Sequence, residues 1–344
     1  MADKPIHILV FRFSALGDVA MTVPVIKLLL QQHPQLHITY VSASFVKPLF
    51  AGIERLSFHA IETKGKHKGI RGLYRLSKEL RKGNEIDAVA DLHNVLRTKL
   101  LRRLFFSPVK NVAVIDKGRE EKRELTRIKN KKLRPLRSTF ERYAEVFGKL
   151  GYAVKLWAVE PIEPTAAPHK PEGNNWIGVA PFAKHLQKMY PLDRMKDVVK
   201  ELTKDSNNQI FLFGSKDEAK ELAHWQTEME NVVCLAGRIS FAEELIYISQ
   251  LDAMVSMDSA NMHLASLYNI PVVSIWGSTH PYAGFYGWQQ DPENAVQVEL
   301  YCRPCSVFGN RPCYRGDLAC LMSITPQMVV DRVAQVLYRG NVKC

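Results

Sequence analysis

Short apolar runs alternate with amphipathic stretches along most of the chain. Ile6–Phe11 is apolar enough to be a strand covered on both faces, and 19–32 carries apolar residues at helical spacing. The same reading places strands at 37–41, 57–61, 86–92 and 111–115. Helices are expected at 45–50, 70–82, 97–106 and 138–150, and the charge-dense 117–137 reads as helical or mobile. Residues 159–175 then hold four prolines and one glycine with little to bury, which marks a linker. Beyond it the pattern restarts. Strands are expected at 176–180, 209–213, 232–235, 253–257 and 271–276, and helices at 192–203, 217–228, 241–249 and 260–268. A last helix at 325–337 is expected to pack back across the hinge. Strands alternating with helices predict a doubly wound parallel sheet in each half, hence an α/β protein. The domains are expected at 1–160 and 176–344, joined by a proline-rich linker at 161–175, with a ligand cleft between them. A length of 344 residues, 46% of them apolar, is ample for two cores.

Ligands of such sheets sit beyond the carboxyl ends of the strands. The strand at 253–257 ends on Asp258-Ser259, where either side chain can cap the following helix, and the open amides there suit an anion. The next strand ends in Gly277-Ser278-Thr279-His280-Pro281. As parallel neighbours the two would bring Asp258, Ser259, His263, Ser278 and Thr279 to one sheet edge. Lys188, ahead of the 192–203 helix, can meet a diphosphate as a compact charge, with Lys184 as the alternative. The strand at 209–213 runs into Gly214-Ser-Lys-Asp-Glu218, which offers an acid for ribose hydroxyls. The set suits a nucleoside-diphosphate ligand. In the first half, Arg12-Phe-Ser14-Ala-Leu-Gly17-Asp18 follows the first strand. Asp18 falls at or just inside a helix start, where a carboxylate can serve the helix dipole or act as a general base.

Charge changes the picture in one region. The chain carries +12, yet residues 64–137 hold 23 Lys/Arg against 8 Asp/Glu, a balance of +15 that leaves the rest at −3. An acidic partner is expected there, and nucleic acid, an anionic membrane surface and a phosphorylated glycan all fit; solvated helix faces explain the same charges. Residues 117–137 contain no aromatic side chain, which speaks against base stacking and against a nucleic-acid partner. The first residues do not resemble a signal peptide and no apolar run approaches a membrane span, so a cytoplasmic protein is expected. Cys302, Cys305, Cys313 and Cys320 are spaced so that a structural zinc, or free or redox-active thiols, remain open.

Three of these segments carry a resemblance to a known family. Arg12-Phe-Ser14-Ala-Leu-Gly17-Asp18-Val19 resembles the N-terminal motif of the glycosyltransferase family 9 heptosyltransferases. Asp258-Ser-Ala-Asn-Met-His263 resembles that family's Asp-[Ser/Thr]-Gly-x-x-His motif, and Trp276-Gly-Ser-Thr279-His-Pro281 its following loop. The motifs occur in order and span nearly the whole chain. The resemblance implies a GT-B architecture, two Rossmann-like doubly wound domains facing a central cleft. It also implies inverting transfer of a heptose from an ADP-sugar to the inner core of lipopolysaccharide (Kdo-lipid A), with no catalytic metal. Asp18 matches the family's proposed base, Lys188 the donor-phosphate lysine, Glu218 the acid near the ribose and Ile239 the apolar cover of the adenine. Asp258, Ser259 and Ala260 match the donor sugar and diphosphate segment, and His263 the motif histidine, with Ser278 and Thr279 in the loop beside it. Arg12, Ser14, Gly17, Lys64 and Arg97 fall on the acceptor side. The enzyme would work peripherally at the inner leaflet of the inner membrane, its basic belt meeting Kdo carboxylates and lipid phosphates. This chain departs from the pattern at Ala260, which replaces a glycine, and at Ser278, which replaces a proline. The alternative is another GT-B sugar-nucleotide enzyme, with a different donor or epimerase chemistry.

Overall fold

A computed structural model describes residues 5–83, 85–160 and 170–341. Its contacts divide the described residues into two units, 5–117 with 139–160, and 118–138 with 170–341. Each is built on one parallel sheet. In the first, β1 (Ile6–Phe11), β2 (Leu36–Ser42), β3 (Leu56–Ala60), β4 (Ala88–Asp91) and β5 (Asn111–Val114) lie in the order β3-β2-β1-β4-β5. All four pairings are parallel. In the second, β6 (Asn175–Ala180), β7 (Asn208–Leu212), β8 (Val232–Cys234), β9 (Ala253–Met257), β10 (Val272–Ile275) and β11 (Ala295–Val296) lie in the order β11-β10-β9-β6-β7-β8. These pairings are parallel too. Parallel sheets are covered on both faces, and the central strands bear this out, with Ile8–Phe11 and Met254–Val255 fully buried. The strand order reverses between β1 and β4 in one sheet and between β6 and β9 in the other. Those are the two places where such sheets open a crevice for ligands.

Several elements differ from expectation for identifiable reasons. The single helix expected over 19–32 is two, Leu16–Ala20 and Thr22–Gln32. Pro24 has no N–H for the Ala20 carbonyl, and the Thr22 hydroxyl instead donates to the Val19 carbonyl at 2.7 Å. The helix expected over 97–106 is Leu96–Leu100 followed by a wider π turn, Leu101–Phe105. Residues 117–137 contain a helix, Arg119–Thr126, and then an irregular arm. Few apolar anchors hold that arm in the second unit: Leu125 and Leu136 pack with Ala283 and Phe285, and Leu136 N–H donates to the Tyr282 carbonyl. In the last helix, Pro326–Asn341, Val329, Val333 and Val336 are part of the second unit's own core. Residues 161–169 of the expected linker lie outside the described residues.

Candidate functional site

Beyond β1 the chain turns at Arg12 and enters the Leu16–Ala20 helix, which puts Asp18 in its first turn. Arg12 Nη2 meets Asp18 Oδ2 at 2.6 Å, while Arg12 Nη1 donates to the Leu92 carbonyl just past β4 at 2.9 Å. The guanidinium therefore ties together the two strands where the order reverses. Ala15 N–H also reaches Asp18 Oδ2, at 3.4 Å, and the Asp18 carbonyl accepts from the Tyr143 hydroxyl at 3.2 Å. Both side-chain contacts use Oδ2. Among the described residues Oδ1 has no partner, and the Asp18 side chain is 32% exposed.

The neighbouring turn after β4 is held from below by Asp91, which is fully buried. Its Oδ1 accepts from His93 N–H (3.0 Å) and Asn94 N–H (2.7 Å), and its Oδ2 accepts from Arg102 Nε (2.8 Å). The turn presents His93 to the site, where its Nδ1 accepts from Phe13 N–H at 3.3 Å. Burial, with Arg12 and Lys117 close by, pushes this imidazole down to about 3, so it stands neutral beside Arg12 at neutral pH. Ser14 and Gly17 lie on the same turn as Asp18, whereas Lys64 and Arg97 are exposed on separate segments of the unit.

In the second unit the reversal between β6 and β9 carries Asp258, with Lys188 against it. Lys188 ends a 3-10 turn, Leu186–Lys188, and its Nζ meets Asp258 Oδ2 at 2.8 Å. Its stem runs over Gly309, where an added Cβ would stand 2.3 Å from Lys188 Cγ. Lys184 is exposed. The Ala260–Ser266 helix has Ser259 as its N-cap residue, but that side chain does not cap it. Ser259 Oγ instead pairs with Ser256 Oγ at 3.0 Å. Ala260 opens the helix and His263 is buried within it.

A cavity of about 200 Å³ lies beside the ends of β7 and β8, walled by Phe213, Gly214, Lys216, Leu235, Gly237, Ile239 and Glu244 among others. Gly237, at φ +65°, brings its backbone against Lys216, and an added Cβ would be 2.8 Å from Lys216 Cα. Glu218 sits at the rim, its Oε2 accepting from Ser215 N–H at 2.7 Å. A capping box fixes the far wall: Ser240 Oγ accepts from Glu243 N–H and Glu243 Oε2 from Ser240 N–H. That start places Ile239 and Glu244 on the cavity. The structure thus gathers Glu218 with Ile239, and Lys188 with Asp258.

Ser278 and Thr279 follow β10 as expected, and both hydroxyls are buried without a hydrogen-bond partner among the described residues. Their backbone is braced by the cysteine-rich segment. Buried Arg303 donates to the carbonyls of Gly277 (2.6 Å) and Thr279 (3.0 Å), and Cys305 N–H donates to that of Ser278 (3.0 Å). Lys131 Nζ joins the 118–138 arm to the same segment through the Cys302 and Pro304 carbonyls, each at 2.8 Å. Cys302, Cys305, Cys313 and Cys320 are free thiols. Among the described residues no three His, Cys, Asp or Glu side chains are grouped to hold a metal ion, although the four thiols lie close enough to act on one another's titration. Burial pushes the Cys320 thiol up to about 11, and Cys320 packs into the second unit's apolar core. Residue spacing alone did not reveal the bracing by Arg303, the His93 turn or Glu244.

Comparison with known proteins adds to this geometry. A lipooligosaccharide heptosyltransferase 2 of Campylobacter jejuni is 24% identical over 140 residues, 39% of this chain and 43% of that one, so the match spans less than half of either. A glycosyltransferase family 9 structure from Veillonella parvula superposes with a TM-score of 0.77 at 18% identity, covering 98% of this chain and 99% of that one. The Escherichia coli heptosyltransferase WaaC, solved with ADP, superposes with a TM-score of 0.67 at 18% identity over 96% of this chain and 100% of its own. Their fold, two parallel α/β units of the GT-B class, is the fold of this protein. The family model described as glycosyltransferase family 9 (heptosyltransferase) matches residues 73–312, more than half of the sequence and most of the motif positions, and the chain belongs to that family.

Proposed function

We propose that the protein is an inverting glycosyltransferase that moves a heptose from an ADP-heptose donor to the inner core of lipopolysaccharide. The observation that carries this reading is the Arg12–Asp18 pair at the β1–β4 reversal, with Asp18 held at Oδ2 and open at Oδ1. A carboxylate so fixed can take the proton of an acceptor hydroxyl. The acceptor oxygen then bonds to the anomeric carbon as the bond from that carbon to the diphosphate breaks, and ADP leaves. Lys188 Nζ exchanges Asp258 for the diphosphate and offsets the charge that develops on it. Glu218 reaches the ribose, Ile239 covers the base, and Ser259, Ala260, His263, Ser278 and Thr279 complete the donor site. Ser14 and Gly17 shape the acceptor side with Arg12. The ADP bound by the Escherichia coli heptosyltransferase and the lipooligosaccharide in the Campylobacter relative's name support the choice of donor and acceptor.

The acceptor would be met at the inner leaflet, and one face of the first unit supports that. The Gly69–Arg81 helix exposes Ile70 and Tyr74 beside Arg71, Arg75 and Lys78, and the Tyr74 ring lies tilted 5.8 Å from that of Phe105, next to exposed Leu104 and Arg103. Exposed apolar side chains set among cations suit an anionic lipid surface. Lys64 and Arg97 add to the same charge. Among the described residues no helix is long and apolar enough to cross a membrane.

A radiolabelled panel of nucleotide sugars with a Kdo-bearing acceptor tests the reading. Transfer from ADP-heptose is expected; product from UDP-sugars but not ADP-sugars overturns the donor, and product without any added acceptor overturns the reaction class.

A further inference from the structure

Whole small-molecule sites usually enclose ~300–1,000 Å³. The cavity beside β7 and β8, at about 200 Å³, is the size for one ring system rather than an entire sugar nucleotide. Its walls include Phe213, Leu235 and Ile239, which can cover a flat ring but cannot distinguish one base edge from another. Glu244 is different. It is the one acid among the lining residues, and it projects from a helix whose start is locked by the Ser240–Glu243 capping box. Glu243 beside it is spent on the cap, whereas Glu244 faces the cavity. Burial lifts the Glu244 carboxyl to about 7, against the pull of the Asn261 amide on the neighbouring motif helix. Lys216, the cation in the same lining, makes no ion pair with it, and a largely buried acid so placed costs stability; such groups gather where a ligand adds a partner.

We infer that Glu244 reads the base of the bound nucleoside diphosphate, accepting a hydrogen bond from an exocyclic amino group and so selecting a 6-aminopurine over a 6-oxopurine. The inference rests on the donor site proposed above and names a determinant that none of the three motifs contains. An ionised carboxylate only accepts hydrogen bonds. It gains from an amine facing it and is repelled by a carbonyl oxygen in the same place. Glu218 at the rim is the acid for the sugar, so the two carboxylates divide ribose and base between them.

The test is calorimetric binding of ADP and of inosine diphosphate at pH 8, where Glu244 is mostly ionised, to the full-length protein and two variants. Wild type should prefer ADP by about tenfold, the scale of one hydrogen bond to a charged group. Glu244→Leu should bring the ratio to about one. Glu244→Gln, whose amide can turn to donate or accept, should keep ADP binding and lower the ratio. Because the ratio compares two ligands on one protein, a general loss of pocket shape cancels. An unchanged preference in Glu244→Leu, or no preference in wild type, overturns the inference and leaves the donor site standing. No ADP binding by wild type overturns the donor site and the inference together.

Discussion

Each unit places a carboxylate against a cation where its strand order reverses, and the two pairs are built in opposite senses. In the first, the cation is the fixed partner: Arg12 is buried and clamped to the Leu92 carbonyl, while Asp18 is a third exposed with Oδ1 open. In the second, the carboxylate is the fixed partner: Asp258 is 7% exposed, and Lys188, on a flexible stem, is the more accessible at 15%. An arginine fork holds a carboxylate in one orientation, whereas a lysine ammonium moves readily from one anion to another. On the proposed reading, the first arrangement presents an oxygen to a proton, and the second presents a charge to an anion.

The largest effect should come from separating those roles. Asp18→Asn keeps the shape but removes the base, so turnover with ADP-heptose and a Kdo-bearing acceptor should fall about 10³-fold. ADP affinity should not change, because nothing in the donor site is touched. Unchanged turnover would falsify the assignment of Asp18. Lys188→Ala should act in the other sense, lowering turnover about 10²-fold and weakening ADP binding as well. It should also lower the melting temperature, since Asp258 is left buried beside no cation. If ADP binding survives intact, Lys184 or another cation holds the diphosphate. The smallest catalytic effect is expected from a support residue. Asp91→Ala removes three hydrogen bonds under the His93 turn and should destabilise the first unit by about 3 kcal/mol. Denaturation followed with and without ADP should show the nucleotide affinity intact; a loss of ADP binding would mean the two regions are not independent.

Much of the fold was legible because parallel strands buried on both faces leave unbroken apolar runs, as Ile6–Phe11 and Ala253–Met257 do. The motif positions were legible for the same reason, since each follows such a run. What escaped the sequence were relations between distant segments. Arg12 and Asp18 are six residues apart, but the clamp on Leu92 exists only because β1 pairs with β4. The 118–138 arm hid its place because its charges outnumber the few apolar anchors that hold it. The cysteine spacing left a metal or free thiols open and gave no sign that Arg303 and backbone amides of that segment brace the Ser278–Thr279 turn. Glu243 and Glu244 share a helix's first turn, and only the capping box separates their duties.

The most direct test of how the two pairs divide the work is a crystal structure of the protein with ADP bound. Lys188 Nζ is expected to have left Asp258 for the diphosphate, with the adenine in the cavity beside Ile239 and Glu244 and the Arg12–Asp18 pair unmoved. A diphosphate bound away from Lys188, or against Arg12, would contradict the assignment of donor to the second unit and base to the first.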